Sequence, residues 1–207
     1  MTLGKHIIAL LFSALVVIPG STLVFAQTCS EVAKPGPTTA SVDHDGQYDF
    51  DSLAGTWKGH TKYRAHPFAG SDKWIEFDGT ETFQKIWDGA MLELSEVAGT
   101  NGAVGLMLYT YNPQSHQWYV YFANRKDGKV GLPNVGEVKN GRGEFFVQDT
   151  LNGKSMLNRY VWSQIASSSP HYEESWSNDG GRTWELVRVV DLARVSGDTG
   201  NAHPAGK

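Results

Sequence analysis

The chain has 207 residues, with 18 Lys plus Arg against 22 Asp plus Glu, one Cys, seven Trp and an aromatic share of 12 %. This length suits a single domain, and the aromatic residues supply the apolar area that a disordered chain lacks. The formal net charge of −4 gives no basic field to attract phosphate backbones, so we expect no nucleic-acid partner. A single Cys excludes a disulfide scaffold.

The segment 1–26 has the order of a secretory signal peptide. A basic start with Lys5 precedes an uncharged apolar run over 7–18, and a small residue, Ala26, closes the segment. The apolar run is too short to cross a hydrocarbon core of ~30 Å as a helix. We therefore expect cleavage after Ala26 and a mature protein that is secreted or periplasmic, with no membrane span.

Two segments with the composition of linkers flank the body of the chain. Thr, Ser, Pro, Gly and Asp dominate 27–47, and 195–207 has a similar composition. The folded domain is therefore expected over 48–194. Cys29 follows the predicted cleavage site closely and leaves lipid anchoring open, although the preceding Gln27 and Thr28 are not the small residues that an anchor signal requires.

The body has the pattern of antiparallel β-strands throughout. β-branched and aromatic residues recur at period two, and Gly, Asn, Asp and Pro interrupt them at short intervals. Asn140-Gly141 and Asn152-Gly153 supply the two positive-φ positions of tight hairpin turns. We predict ten strands, at 55–64, 73–87, 90–97, 105–111, 117–123, 135–139, 143–148, 154–165, 171–177 and 183–194.

This succession of hairpins predicts an all-β fold. No window after the first segment repeats apolar positions at helical spacing, so the crossover helices of a parallel sheet are missing. A long meander must protect its edges, and closure into a single antiparallel up-and-down barrel removes them altogether. We predict such a barrel with about ten strands; a two-sheet sandwich is the alternative.

Two local motifs bear on fold and function. Ser177–Trp184 satisfies the Ser-x-Asp-x-Gly-x-Thr-Trp pattern of the Asp box found in sialidases, but sialidase propellers repeat the box on several blades. We interpret the single copy as the turn that joins the last two strands. Gly55-Thr56-Trp57 begins the first long strand, and Arg188 or Arg194 on the last strand is expected to stack on Trp57.

Several motifs follow one another along the body of the chain: Phe50–Trp57, Trp74–Gly79, Tyr111–Pro113 with Trp118, Asp149–Gly153, Arg159–Trp162 and the Asp box. Their order resembles that of a family of short bacterial proteins of unknown function that are lipocalin-like, or calycin-type, barrels. The resemblance covers about 48–194 and implies a fold without an activity. The opening is also similar to that of nitrobindin-type haem barrels, but the last strand has no His to bind iron, so we expect no cofactor.

Alternation along the strands predicts which side chains enter the barrel. If Trp57 points inward, Gly59, Thr61 and Tyr63 follow it, and Lys58, His60 and Lys62 face water. On the late strands we expect inward faces that bring Arg159, Glu174 and Arg188 into one buried cluster. Such a cluster is either a structural ion pair or an anchor for the polar end of a ligand. A bulge that shifts the register by one residue would invert any of these assignments.

Aromatic residues complete the predicted ligand-binding set. A phenol such as Tyr109 or Tyr121 can donate to a carboxylate or a carbonyl, although each can also be an ordinary wall residue. The predicted ligand-binding residues are Trp57, Tyr109, Tyr121, Arg159, Glu174, Trp176 and Arg188.

Other classes of site find less support. The chain has no Gly-x-Ser-x-Gly elbow, and its scattered His residues lack carboxylates at ligand spacing, so no metal site is expected. The carboxylates Glu76, Glu81, Glu93, Glu96, Glu173 and Glu174 are interpreted mainly as solvated charges. The sequence therefore predicts a barrel that binds a small, hydrophobic or amphipathic molecule. The alternatives are a small isomerase- or cyclase-type enzyme that uses Glu174 or a lumen Tyr as acid or base, and a non-catalytic protein-interaction module with a filled lumen.

Overall fold

A computed structural model describes residues 45–196, and the predictions on 1–44 and 197–207 lie outside this range. A single 3-10 turn precedes ten β-strands that agree closely with those predicted. The 3-10 turn is η1 (Asp51–Leu53), and the strands are β1 (Gly55–Arg64), β2 (Trp74–Trp87), β3 (Ala90–Val97), β4 (Gly105–Asn112), β5 (Gln117–Asn124), β6 (Asn134–Lys139), β7 (Arg142–Leu151), β8 (Lys154–Ser163), β9 (His171–Ser177) and β10 (Glu185–Arg194).

The strands form a closed, antiparallel, up-and-down barrel, as the sequence predicted. Each strand pairs with its neighbours along the chain, and β10 returns to pair with β1. The predicted Asn-Gly turns are present: Asn140 and Gly141 have φ values of 53° and 75°, and Asn152 and Gly153 have 52° and 76°. Because the turns match the twist of the strands, short hairpins carry the chain around the ring.

The strength of pairing varies around the ring. Ten residue pairs join β1 to β2, whereas three join β5 to β6: Trp118 with Gly136, Tyr119 with Val135, and Val120 with Asn134. A further isolated bridge links Ala123 to Val130 in the connection between these two strands. The β5–β6 seam is therefore short, and it lies opposite the β1–β10 junction in the ring of strands.

Aromatic side chains fill one half of the barrel. The ring centroid of Phe50 lies 4.9 Å from those of Tyr109 and Trp118. Trp57 is fully buried beside them, and its Nε1 donates to the carbonyl of Leu53 at 2.7 Å. This half of the lumen is therefore closed by η1 and the rings around it.

Arg194 secures the closed end, which confirms one of the two predicted stacking partners of Trp57. Its guanidinium carbon lies 4.0 Å from the centroid of the Trp57 ring. Its Nη1 and Nη2 also donate to the carbonyl oxygens of Ala54 at 2.9 Å and Ser52 at 2.6 Å. The last strand thus holds the segment that enters the first.

The face predicted for β1 is confirmed, and that predicted for β8 is wrong. Thr61 and Tyr63 line the lumen. On β8, however, Tyr160 enters the lumen, so its neighbour Arg159 lies on the outer face, where its guanidinium carbon is 4.6 Å from the Trp184 ring centroid. Both faces of β8 carry apolar residues, so the alternation lacks the contrast that distinguishes inside from outside.

One further assignment of face requires correction. Tyr121 lies on the outer face of β5, because its neighbours Val120 and Phe122 point inward. On β10 the register shifts between Leu186 and Arg188, so the strict alternation of faces is interrupted between these two residues. Arg188 still enters the lumen, as predicted.

The Asp box is the turn between β9 and β10, as interpreted from the sequence. The Asp179 carboxylate accepts from the backbone amide of Thr183 at 3.0 Å and from its hydroxyl at 2.6 Å. Ser177 Oγ accepts from the amide of Gly181 at 2.8 Å. The two bonds from Thr183 lower the pKa of Asp179, and the whole set accounts for the motif as a turn-stabilising network.

Within residues 45–196, no helix has both the length and the apolar character needed to cross a membrane.

Candidate ligand-binding site

A cavity of about 480 Å³ occupies the half of the lumen away from η1. Its volume lies in the range of small-molecule sites, which are mostly apolar with a few placed polar groups. Glu96 and Asp149 lie at its rim, and both are exposed. The walls carry the apolar and aromatic residues Tyr63, Phe77, Met107, Phe122, Met156, Tyr160 and Trp176, and the polar residues Glu81, Asn158, Glu174 and Arg188 also line the space.

Arg188 presents a guanidinium to this cavity. It lies over the ring of Tyr172, with 5.6 Å between the guanidinium carbon and the ring centroid. Between residues 45 and 196 it has no ion-pair or hydrogen-bond partner; Glu174, Glu81 and Glu93 act on its charge from longer range. The donors of Arg188 are therefore free to bind a group that enters the cavity.

Glu174 is held in place by donors on neighbouring positions. Its Oε1 accepts from Asn158 Nδ2 at 3.0 Å and from Trp176 Nε1 at 2.7 Å. Burial raises the pKa of Glu174, while the Arg188 charge and these two hydrogen bonds favour the ionised form. The carboxyl group is consequently oriented by its partners and does not rotate freely.

A pair of carboxyl groups, from Glu81 and Glu93, lies at the inner end of the cavity. Burial, and secondly the charge of Glu93, raise the pKa of Glu81 to about 8. Burial also raises the pKa of Glu93, whose Oε2 accepts from the Tyr109 hydroxyl at 2.5 Å. Because two close carboxylates in a buried site repel each other, this pair retains a proton at neutral pH.

The structure brings three of the predicted ligand-binding residues together at the cavity. These are Glu174, Trp176 and Arg188. Tyr109 is buried beneath the cavity floor on Glu93, and Trp57 belongs to the closed end. The remaining two, Arg159 and Tyr121, are on the outer face as described above.

The sequence analysis missed several residues in and next to the cavity. Glu81 and Glu93 were interpreted as solvated, yet they are only 5 % and 4 % exposed. The face of Glu81 was recognisable, because Phe77 and Phe83 share it at period two. Asn158, which orients Glu174, gave no signal because a polar residue on a mainly apolar strand does not indicate its own face.

No protein-family profile matches the chain, and no curated protein matches it. The motif resemblance to the lipocalin-like family therefore stays a prediction.

Proposed function

We propose that this chain is an exported barrel protein that binds a small, partly apolar molecule in the open half of its lumen, as a member of the lipocalin-like family whose motifs it shares. The single observation that supports binding is the cavity of about 480 Å³, with aromatic walls and a free guanidinium from Arg188. Burial of apolar ligand surface would drive binding, and the polar groups would set its orientation. A filled lumen, as an interaction module would have, does not agree with this space.

A cavity-filling variant tests the binding proposal. Met156 lines the cavity and Ser155 beside it is exposed, so Met156→Trp should obstruct the lumen while Ser155→Trp serves as the matched control. Native mass spectrometry of protein purified from an exporting host should show a bound small molecule in the wild type and the control, and a loss of at least about tenfold in occupancy in Met156→Trp. An empty lumen in all three proteins would contradict the proposal.

Export rests on the sequence of 1–26 and is tested separately. N-terminal sequencing of the exported product should begin at Gln27. Leu11→Arg places a charge in the apolar run and should leave the precursor unprocessed. A wild-type product that retains 1–26 would refute export by this route.

A second candidate function is acid–base catalysis next to a carbonyl group. Glu174 and Arg188 are paired across β9 and β10 and border the same cavity. Glu174 would take a proton from the carbon beside a ketone, and Arg188 would bind the enolate oxygen until the proton returns to carbon.

Proton exchange tests this candidate. Wild-type protein in deuterium oxide should incorporate deuterium into the methyl group of a naphthyl methyl ketone, as measured by nuclear magnetic resonance, and Glu174→Gln should reduce the rate by at least about 100-fold. Equal rates in the two proteins would exclude Glu174 as the base and leave binding as the proposed function.

A further inference from the structure

Glu174 and Arg188 form an open charge pair inside the lumen. They face each other across the antiparallel strands β9 and β10, a placement in which opposite charges ordinarily close into direct contact. In the described part of the chain, however, no ion pair joins them. Each still acts on the other's charge, so they are near without touching.

The partners of each residue explain why the pair stays open. Asn158 on β8 and Trp176 on β9 both donate to Oε1 of Glu174, and these two hydrogen bonds fix the orientation of the carboxyl group. The Arg188 guanidinium lies instead over Tyr172. Oε2 of Glu174 accepts no hydrogen bond from residues 45–196, so a free acceptor and a set of free donors lie beside each other at the cavity wall.

We infer that the ligand bridges Arg188 and Glu174 with a neutral group that carries a hydrogen-bond acceptor beside a donor, as a carboxamide or lactam does, attached to an aromatic or other apolar body. The carbonyl oxygen of this group accepts from Arg188, and its N–H donates to Oε2 of Glu174. The inference rests on the proposed function, because it specifies the ligand of the same cavity.

The charged residues around the cavity disfavour ligands with an ionised head group. A carboxylate would meet Arg188 but also Glu174, the Glu81–Glu93 pair and the rim carboxylates Glu96 and Asp149. An ammonium group would satisfy Glu174 and lie against the unpaired guanidinium. A zwitterion matches both charges, but both of its ionic groups must lose their hydration, which costs far more than burial of an amide that is hydrogen-bonded.

Four probes with the same ring and different head groups test the inference. They are 1-naphthaleneacetamide, 1-naphthaleneacetate, 2-(1-naphthyl)ethylamine and 1-methylnaphthalene, titrated against the mature chain by tryptophan fluorescence and calorimetry. The amide should bind at least about tenfold more tightly than each of the other three. An aromatic amino acid, tryptophan, is added to represent the zwitterion and should bind more weakly than the amide.

Variants locate the effect at the two residues. Glu174→Gln replaces the free acceptor by a donor and should weaken amide binding by about tenfold or more, while Glu173→Gln, on the outer face of the same strand, should not change it. Arg188→Met should weaken amide binding similarly, and Arg159→Met on the outer face is its matched control. Melting temperatures identify any variant that fails to fold. The affinities of the wild-type protein for the probes test the preference for a neutral amide head group without any variant.

The outcomes separate this inference from the proposed function. Equal affinity for the amide and methylnaphthalene, or tighter binding of the acetate, the amine or tryptophan, would overturn the inference and leave ligand binding intact. Failure of all the probes would overturn the inference; only an empty lumen in native mass spectrometry would also overturn the proposed function.

Discussion

Buried carboxyl groups dominate the chemistry of individual residues in this barrel. Glu81, Glu93 and Glu174 all have raised pKa values because the lumen withdraws them from water. Their hydrogen bonds partly compensate for this cost, as Tyr109 does for Glu93. A raised pKa in the folded chain implies that stability depends on pH.

Glu81 should make the protein less stable as pH rises from about 5 to about 8. Its pKa rises from 4.5 to about 8 on folding, so within this interval the folded chain holds a proton that the unfolded chain releases. The free energy of unfolding should fall by roughly 1 kcal/mol per pH unit from this group, because the unfolded state binds fewer protons. Urea titrations at several pH values measure the slope.

Glu81→Gln should flatten that slope, since an amide has no proton to release in this range. Glu96→Gln at the exposed rim of the cavity is the matched control and should retain the wild-type slope. An unchanged slope in Glu81→Gln would show that the proton is held elsewhere in the lumen.

At the scale of elements, the strands and turns could be predicted while the inward faces could be predicted only in part. The bounds of β1, β3 and β9 agree with the prediction to the residue, because Gly, Asn and Pro mark the connections clearly. The inward face of β1 was also predicted correctly, since Lys58, His60 and Lys62 alternate with the residues that follow Trp57 at period two. On β8 the two faces are equally apolar, and Arg159 was consequently placed inside.

The candidate site could likewise be predicted only in part. Glu174, Trp176 and Arg188 were predicted because charge and aromatic residues alternate on β9 and β10. The bulge between Leu186 and Arg188 depends on pairing with β9 and is not encoded in a local pattern. The burial of Glu81 and Glu93 depends on closure of the barrel, because strands that are far apart in the sequence then surround the same lumen.

Gly136 allows β6 to lie very close to the backbone of β7. It pairs with Trp118 on β5 and with Phe145 on β7, and an added Cβ would overlap the carbonyl oxygen of Glu144. Gly136→Ala should therefore lower the free energy of unfolding by at least about 2 kcal/mol, as measured by thermal or urea unfolding.

Gly131 provides the control for this substitution. The nearest atom to its added Cβ is the carbonyl oxygen of Phe122 at 3.9 Å, so Gly131→Ala should change stability by less than about 0.5 kcal/mol. Similar losses in the two variants would contradict the role given to Gly136.

Arg194 should stabilise the closed end through the shape of its guanidinium as well as its charge. Arg194→Lys retains the charge but cannot donate to Ala54 and Ser52 while stacking on Trp57. We expect a loss of about 1–3 kcal/mol in unfolding free energy, compared with a negligible change in Arg182→Lys in the exposed β9–β10 turn. Equal stability of the two variants would assign Arg194 a purely electrostatic role.

At the scale of the whole molecule, the barrel has two different ends. Aromatic rings and Arg194 close one end, and the cavity occupies the other. The rings supply the buried apolar area that holds the fold, which leaves the opposite half free to carry charged groups and space. Stability and the proposed binding function thus draw on separate parts of one lumen.

Because the β5–β6 seam is short, we expect that the chain can be cut there into two fragments that still assemble. The three residue pairs of the seam lie between a first half, β1 to β5, and a second half, β6 to β10. A cut after Gly128, in the connection between the halves, should allow the co-expressed fragments 27–128 and 129–207 to reassemble into a soluble complex. A cut between Asn152 and Gly153 interrupts a tight turn between strands that share nine pairs, and should give less complex in size-exclusion chromatography.

Equal yields of complex from the two cuts would show that the β5–β6 seam is no weaker than a hairpin.

The two fragments divide the charged residues of the site, because Glu81 and Glu93 belong to the first fragment and Glu174 and Arg188 to the second. Neither fragment contains a complete set of cavity charges. Binding of a lumen ligand would therefore report fragment complementation, and the barrel would serve as a split sensor whose signal requires both halves.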